Sequence, residues 1–272
     1  MELLRQTLTN IKPANEEAMR LVRERWDVKV KPVGSLGALE EVTIKLAGMT
    51  GKAENSIDKK AIVVMASDNG VVEEGVSSAP QIFTRLLAES MSRGQTGVAT
   101  LAKFGNIDLK IVDIGLNGEL NISGVLSKKV ANGTKNFTKG PAMSYEEAVK
   151  SIEIGIEVGE AMYNEGYDIL GTGELGIGNT TTSAAVLKAF ADYNINDISG
   201  KGAGLSNEQL QNKINVILKG IELNKPNKED PIDVLAKVGG FDIGGMCGLY
   251  LSAAKNRKPI VVDGYISSAA AL

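Results

Sequence analysis

The chain has 272 residues, 43% of them hydrophobic but only 4% aromatic, and a net charge of −3. That length suits one large domain, or a large domain with a small one, whose core is built from Ala, Val, Ile and Leu rather than rings. The absence of histidine and the single cysteine, Cys247, exclude Ser–His and Cys–His nucleophile pairs, an intrachain disulfide and Cys-based metal clusters.

Acid–base chemistry therefore falls to Asp, Glu, Lys or Tyr. The charges are scattered and form no basic face, so no nucleic-acid partner is expected. No apolar run approaches the roughly 20 residues of a membrane span, and the N-terminus has no signal-peptide core. The expectation is a soluble cytoplasmic protein with no membrane partner, no metal and no cofactor.

The first 50 residues read as helical. Pro13-Ala14-Asn15-Glu16-Glu17 is a helix start with Asn15 as cap, and Ala18, Leu21, Val22 and Arg25 continue at helical spacing. Lys31-Pro32-Val33-Gly34 breaks that helix. Leu39, Val42, Leu46 and Met49 then share one face of the next. The continuous apolar run 61–66 predicts a parallel strand covered on both faces. A helix is expected over 80–104 and a second strand over 109–114. Residues 116–140, rich in Gly, Asn and Lys, read as a loop or weak β-excursion. There follow a helix over 144–165, a strand over 168–171, helices over 180–191, 207–223 and 241–255, and a strand over 259–263. Strands alternating with helices predict an α/β fold with a mainly parallel sheet flanked by helices.

In such sheets ligands bind at the carboxyl ends of the strands. Four strand ends here carry Gly or polar residues: Asp68-Asn69-Gly70, Asp113-Ile114-Gly115, the loop 171–180, and Asp263-Gly264-Tyr265. The richest is Gly171-Thr172-Gly173-Glu174-Leu175-Gly176-Ile177-Gly178-Asn179-Thr180, which leads into a helix. Glycines let a ligand approach the backbone, and free N–H groups at a helix start favour an anion. The spacing matches neither common phosphate loop. Glu174 would oppose a bare phosphate, so the expected ligand has a phosphate at one end and hydroxyls or positive charge elsewhere, as a nucleotide does. A plain Gly-rich turn with a threonine cap is the alternative.

Three further segments carry open readings. The serines of 67–80 line a pocket, or Asp68-Asn69-Gly70 is only a turn. Ser206 caps a helix with help from Glu208 or Gln209, and Lys213, two turns in, either reaches the phosphate loop or is a solvated surface lysine. Gly239-Gly240-Phe241-Asp242 opens a helix of small residues, which implies close packing or close ligand approach, with Asp242 near the helix dipole.

Taken in order, several segments resemble one family. They are Lys31-Pro32-Val33-Gly34-Ser35-Leu36-Gly37, Asp68-Asn69-Gly70-Val71 with Ser77 and Pro80, Gly173 through Thr181, Gly202-Ala203-Gly204-Leu205 with Lys213, Gly239 through Ile243, and Val261 through Ile266. The family is nicotinate-nucleotide:dimethylbenzimidazole phosphoribosyltransferase, of the cobalamin lower-ligand pathway. The resemblance implies a Rossmann-like sheet, a small helical subdomain over 1–55 and a phosphoribosyltransferase domain over 56–272. It implies a homodimer whose partners are nicotinate mononucleotide and a benzimidazole-type base. It places phosphate and ribose on Glu174, Gly176, Ile177, Gly178, Asn179, Thr180 and Lys213. The base falls near Ser77, Ser78, Pro80, Leu86 and Leu175, and Asp68, Gly202, Gly204, Asp242 and Asp263 complete the candidate site.

Three departures from the family pattern stand out. Asn69 replaces a histidine. Arg85-Leu86-Leu87 stands where a base-facing glutamine is usual, so Leu86 either faces a more permissive base pocket or is core. Family members continue several tens of residues past Ile266 and carry there the glutamate regarded as general base; this sequence is therefore expected to be a truncation with little turnover, with Glu174 the possible substitute. The alternative function is a non-catalytic nucleotide-binding fragment, or one subunit of a paired phenol- or benzimidazole-activating enzyme.

Overall fold

The computed structural model describes residues 1–119 and 122–272, so two positions of the predicted 116–140 loop, Leu120 and Asn121, lie outside the described residues. Its elements in chain order are α1 (Glu2–Asn10), α2 (Glu16–Asp27), α3 (Ala38–Thr50), β1 (Lys60–Ser67), α4 (Ile82–Ser92), α5 (Gly97–Phe104), β2 (Asp108–Gly115), β3 (Val125–Ser127), α6 (Tyr145–Asn164), β4 (Ile169–Leu175), α7 (Asn179–Phe190), α8 (Ile195–Ile198), α9 (Asn207–Asn224), α10 (Pro231–Val238), α11 (Phe241–Asn256), β5 (Ile260–Val261) and α12 (Tyr265–Ala271).

The five strands are all parallel and run β3-β2-β1-β4-β5 across the sheet. β1 is central, and its side chains divide between two cores. Ala61, Val63 and Met65 join the larger core beneath α6 and α11, whereas Val64 and Ala66 join a smaller one with Ala88 and Met91 of α4. Burial on both faces is why 61–66 reads as an unbroken apolar run rather than an alternation. The sheet is extended first on one side of β1, through β2 and β3, and then on the other, through β4 and β5. The resulting switch point between β1 and β4 opens a crevice at their carboxyl ends.

The small residues of α11 serve packing. A Cβ on Gly248 would overlap the Ile152 carbonyl oxygen of α6, and one on Gly155 would overlap that of Gly245. The two helices thus cross backbone to backbone. This fixes α11, and with it Asp242, against the sheet. In the N-terminal region, Asn15 caps α2 by accepting from the Ala18 N–H at 2.9 Å. α2 and α3 bury Ala18, Val22, Ile44 and Ala47 in a cluster of their own. α1 lies apart from that pair: Leu4 belongs to the larger core, and its N–H donates to Glu153 of α6 at 3.1 Å.

The structure corrects several expectations. The helix over 80–104 is two helices, α4 and α5, separated at Gly94, which takes a φ of +77°, and α5 restarts on a Thr96 cap. The strand over 259–263 is only the two-residue edge strand β5, with Val261 half exposed. α10 escaped the pattern reading, although Asp230-Pro231 is a helix-start signal and Asp230 caps it. The β-excursion in 116–140 is the short edge strand β3.

Candidate active site

β4 delivers Glu174 to the carboxyl edge of the sheet, level with Met65 of β1. The chain then turns through Gly176, Ile177 and Gly178. Gly178 has a φ of +92°, the left-handed region in which a Cβ is strained, and the Cβ would stand 2.7 Å from Val72. The turn is pinned from α4, where Thr84 accepts the Ile177 N–H at 3.0 Å. α7 starts at once. Its N-cap is Gly178, with no side-chain cap, so the threonine cap expected there is absent. Thr182 instead donates inward to the Asn179 carbonyl at 2.9 Å. The first turn of α7 is thus left without a side-chain acceptor: the Asn179 and Thr181 N–H groups donate to the Gly176 and Gly178 carbonyls at 3.1 and 2.9 Å, and the Thr180 N–H between them suits an anion.

Lys213 settles which of its two readings holds. It is fully buried, on the inner face of α9, and is not a surface lysine. The sequence could not show this, because helical spacing gives a face but not what covers it. Ser206 and Gln209 form the reciprocal cap that sets the register of α9. Lys213 Nζ donates to Thr180 Oγ1 at 2.8 Å and to the Gly200 carbonyl at 3.1 Å. Among the described residues no carboxylate lies within ion-pair distance of it. Burial lowers its pKa to about 8. A buried ammonium held only by a hydroxyl and a carbonyl, beside an uncapped helix start, is the electrostatic counterpart of a phosphate.

The acidic groups gather on the other side of the turn. Burial raises the pKa of Glu174. Asn179 donates one amide hydrogen to Glu174 and the other to Asp242 Oδ2 at 3.3 Å. Asp242 is completely buried, not an exposed partner of the helix dipole, and its pKa rises to about 7 through burial and the nearby charge of Glu174. Asp68 is also buried; it accepts the Asn117 N–H at 2.8 Å, and burial raises its pKa. It therefore braces the β1 and β2 ends against each other.

The loop 75–80 meets the glycine loop 199–205 where Ser78 donates to the Ala203 carbonyl at 2.9 Å. Ser77 accepts the Ala79 N–H at 3.2 Å. Gly202 lies over Thr180, with its absent Cβ 3.1 Å from the hydroxyl, and Gly202 and Gly204 both have positive φ. Pro80 leads into α4, and Leu175 packs in the smaller core with Ala88 and Met91. Leu86 is 45% exposed, so its reading as core does not hold. Asp263 is exposed at the end of β5. Thr84 was not singled out from sequence as a site-builder, and Asn69 was noted only as a departure within the Asp68-Asn69-Gly70 segment. Asn69 is fully buried, and Gln81 donates to its carbonyl at 3.3 Å.

A doubly wound parallel sheet with a polar crevice at its switch point is the architecture of an enzyme that acts on a small molecule. The comparisons agree. The profile of a family described as "Phosphoribosyltransferase" matches residues 11–272. A nicotinate-nucleotide--dimethylbenzimidazole phosphoribosyltransferase of Clostridium tetani is 54% identical over 272 residues, which are 100% of this chain and 75% of that protein. The protein of the same name in Acetivibrio thermocellus is 47% identical over 270 residues, 99% of this chain and 77% of the other. The crystal structure of CobT from Thermus thermophilus superposes with a TM-score of 0.89 at 35% identity, covering 94% of this chain and 77% of that one. The chain belongs to the nicotinate-nucleotide--dimethylbenzimidazole phosphoribosyltransferase family.

Proposed function

We propose that this site transfers the phosphoribosyl group of nicotinate mononucleotide to 5,6-dimethylbenzimidazole or a related base, in cobalamin biosynthesis. The observation that carries the reading is Lys213, a buried cation with no acidic partner beside the uncapped start of α7. In this reading the phosphate lies between Lys213, Thr180 and the backbone of 176–180. Glu174 and Asn179 hold the ribose hydroxyls, and the acceptor lies toward Ser77, Ser78, Pro80 and Leu86. Gly202 and Gly204 close over the phosphate side, and Asp68, Asp242 and Asp263 stand around the site.

The ring nitrogen of the acceptor attacks the anomeric carbon of the ribose. The bond to the pyridinium nitrogen breaks and its electron pair stays on nicotinate. The configuration inverts, and the acceptor sheds its N–H proton. The leaving group is already activated, so catalysis rests on holding the reactants in line and on removing that proton. Glu174, a partly buried carboxylate whose pKa is raised by desolvation, is the acid–base group of this chain within reach of the sugar. A cytoplasmic homodimer belongs to the same reading, and the exposed apolar side chains Ile82, Phe83, Leu86 and Leu87 on α4 support a second copy.

Product analysis tests the function. Nicotinate mononucleotide and 5,6-dimethylbenzimidazole should yield nicotinate and α-ribazole 5′-phosphate in equal amounts. Hydrolysis to free ribose phosphate, or no binding of the nucleotide, would contradict the assignment. The same assay run in competition tests the acceptor pocket. With Leu86 exposed where an amide would otherwise stand, 5,6-dimethylbenzimidazole should be preferred over p-cresol by less than about 100-fold, roughly 2.7 kcal/mol. A stricter preference would show that another group supplies the missing hydrogen bond.

A further inference from the structure

Among the buried side-chain oxygens near the turn without a hydrogen-bond partner are Asp242 Oδ1 and Asn69 Oδ1. Both border one small space, the place a Cβ would occupy on Gly240. Asp242 Oδ1 overlaps that point and Asn69 Oδ1 is 2.9 Å from it. Two acceptors cannot satisfy each other; the backbone N–H groups of Asp242 and Ile243 ease a charge on the Asp242 carboxyl but leave Asn69 Oδ1 buried without a donor. One proton resolves both. Turning the Asn69 amide over would offer Asp242 an N–H, but would set the amide oxygen against the Ile177 carbonyl, which now accepts from Asn69 Nδ2 at 3.5 Å. The remaining source of a donor is the carboxyl group itself.

We infer that Asp242 is a neutral acid whose Oδ1–H donates to Asn69 Oδ1, and that this keeps Glu174 the only charged carboxylate beside the phosphate position. The surroundings fit. Glu174 faces Asp242 from β4, Asn179 from α7, and Asn69 from the loop after β1; Glu174 is the one charged group among them. A second ionised carboxyl bridged to Glu174 through one amide would be repelled by it. Asp242 is thus a positioning residue: it orients Asn179, which orients Glu174, and it withholds a charge that would oppose the phosphate. The consequence for the nucleotide rests on the transferase reading; the protonation itself does not.

The test has two readouts. In full-length protein labelled with [13Cγ]aspartate, the carboxyl signal that disappears in D242N should remain protonated at pH 5–6 and titrate near 7. A set of aspartate signals all ionised by pH 5 would select the turned amide and overturn the protonation. Calorimetry with nicotinate mononucleotide gives the second readout. Asn at 242 keeps the donor and cannot ionise, so the ratio of D242N to wild-type affinity should rise about tenfold from pH 6 to pH 8. Lys213 also loses charge near the top of this range, but it does so in both proteins and cancels in the ratio. A flat ratio would overturn the consequence for the ligand. Failure of both proteins to bind would sink the transferase reading while leaving the carboxyl titration to decide the protonation.

Discussion

Lys213→Met should weaken the binding of nicotinate mononucleotide by about 100-fold, since a charge-assisted hydrogen bond in a dry site is worth roughly 2–3 kcal/mol. Methionine keeps the length and apolar stem of the side chain, so the fold should persist. The pH dependence follows from the lowered pKa of about 8. Below that value the free site carries the ammonium, and the affinity does not depend on this group. Above it the free site must take up a proton to bind the phosphate, and affinity should fall by up to about tenfold per pH unit. The methionine variant should lack that fall. Calorimetry of both proteins from pH 6.5 to 9.5 measures it; equal affinities, or parallel pH profiles, would remove Lys213 from the phosphate site.

Gly248→Ala should destabilise the protein by about 3 kcal/mol, because the added methyl meets the backbone carbonyl of Ile152, which cannot rotate away. For a chain of this size that corresponds to a drop of roughly 6 °C in the unfolding midpoint, read by circular dichroism. The effect reaches the site as well. α11 carries Asp242, and pushing it off α6 would pull Asp242 from Asn179. A midpoint within 1–2 °C of wild type would mean that the helices can slide apart at little cost.

These two residues also show what the sequence could and could not reveal. The strand β1 was legible, because a strand buried on both faces leaves an unbroken apolar run, and so was the buried half of β2; β4 was read only over 168–171, because Gly171, Thr172, Gly173 and Glu174 hide the rest of a strand that runs to Leu175. Of the expected loop 171–180, residues 171–175 are strand and 179–180 open α7; only the turn 176–178, where glycine is needed at Gly178, stands as read. The burial of Lys213 was not legible. A lysine within a helix announces itself as solvated until the loop 199–202 and Thr180 are seen to close over it. Asp242 read as a helix-start acid for the same reason: its local position suits the dipole, and only the packing of α11 on α6 brings it to Asn179. The break between α4 and α5 was missed because Ser92-Arg93-Gly94-Gln95-Thr96 is short and polar within a stretch otherwise compatible with helix.

The same contrast places Asn69. In sequence it sits in a turn signal; in the fold it is wholly buried and touches the Ile177 carbonyl, the space at Gly240 and, through its own carbonyl, Gln81. A turn on the surface and a turn at the switch point of a sheet use the same residues. Only the strand order β3-β2-β1-β4-β5 distinguishes them, by putting the β1 and β4 loops side by side.

In the proposed complex the nucleotide phosphate occupies the space between Lys213 and the start of α7. A crystal structure of the protein soaked with nicotinate mononucleotide tests it most directly. Phosphate oxygens should lie within hydrogen-bond distance of Lys213 Nζ, Thr180 Oγ1 and backbone N–H groups of 176–180, with the ribose turned toward Glu174. A phosphate bound elsewhere, with Lys213 still held only by Thr180 and Gly200, would contradict it.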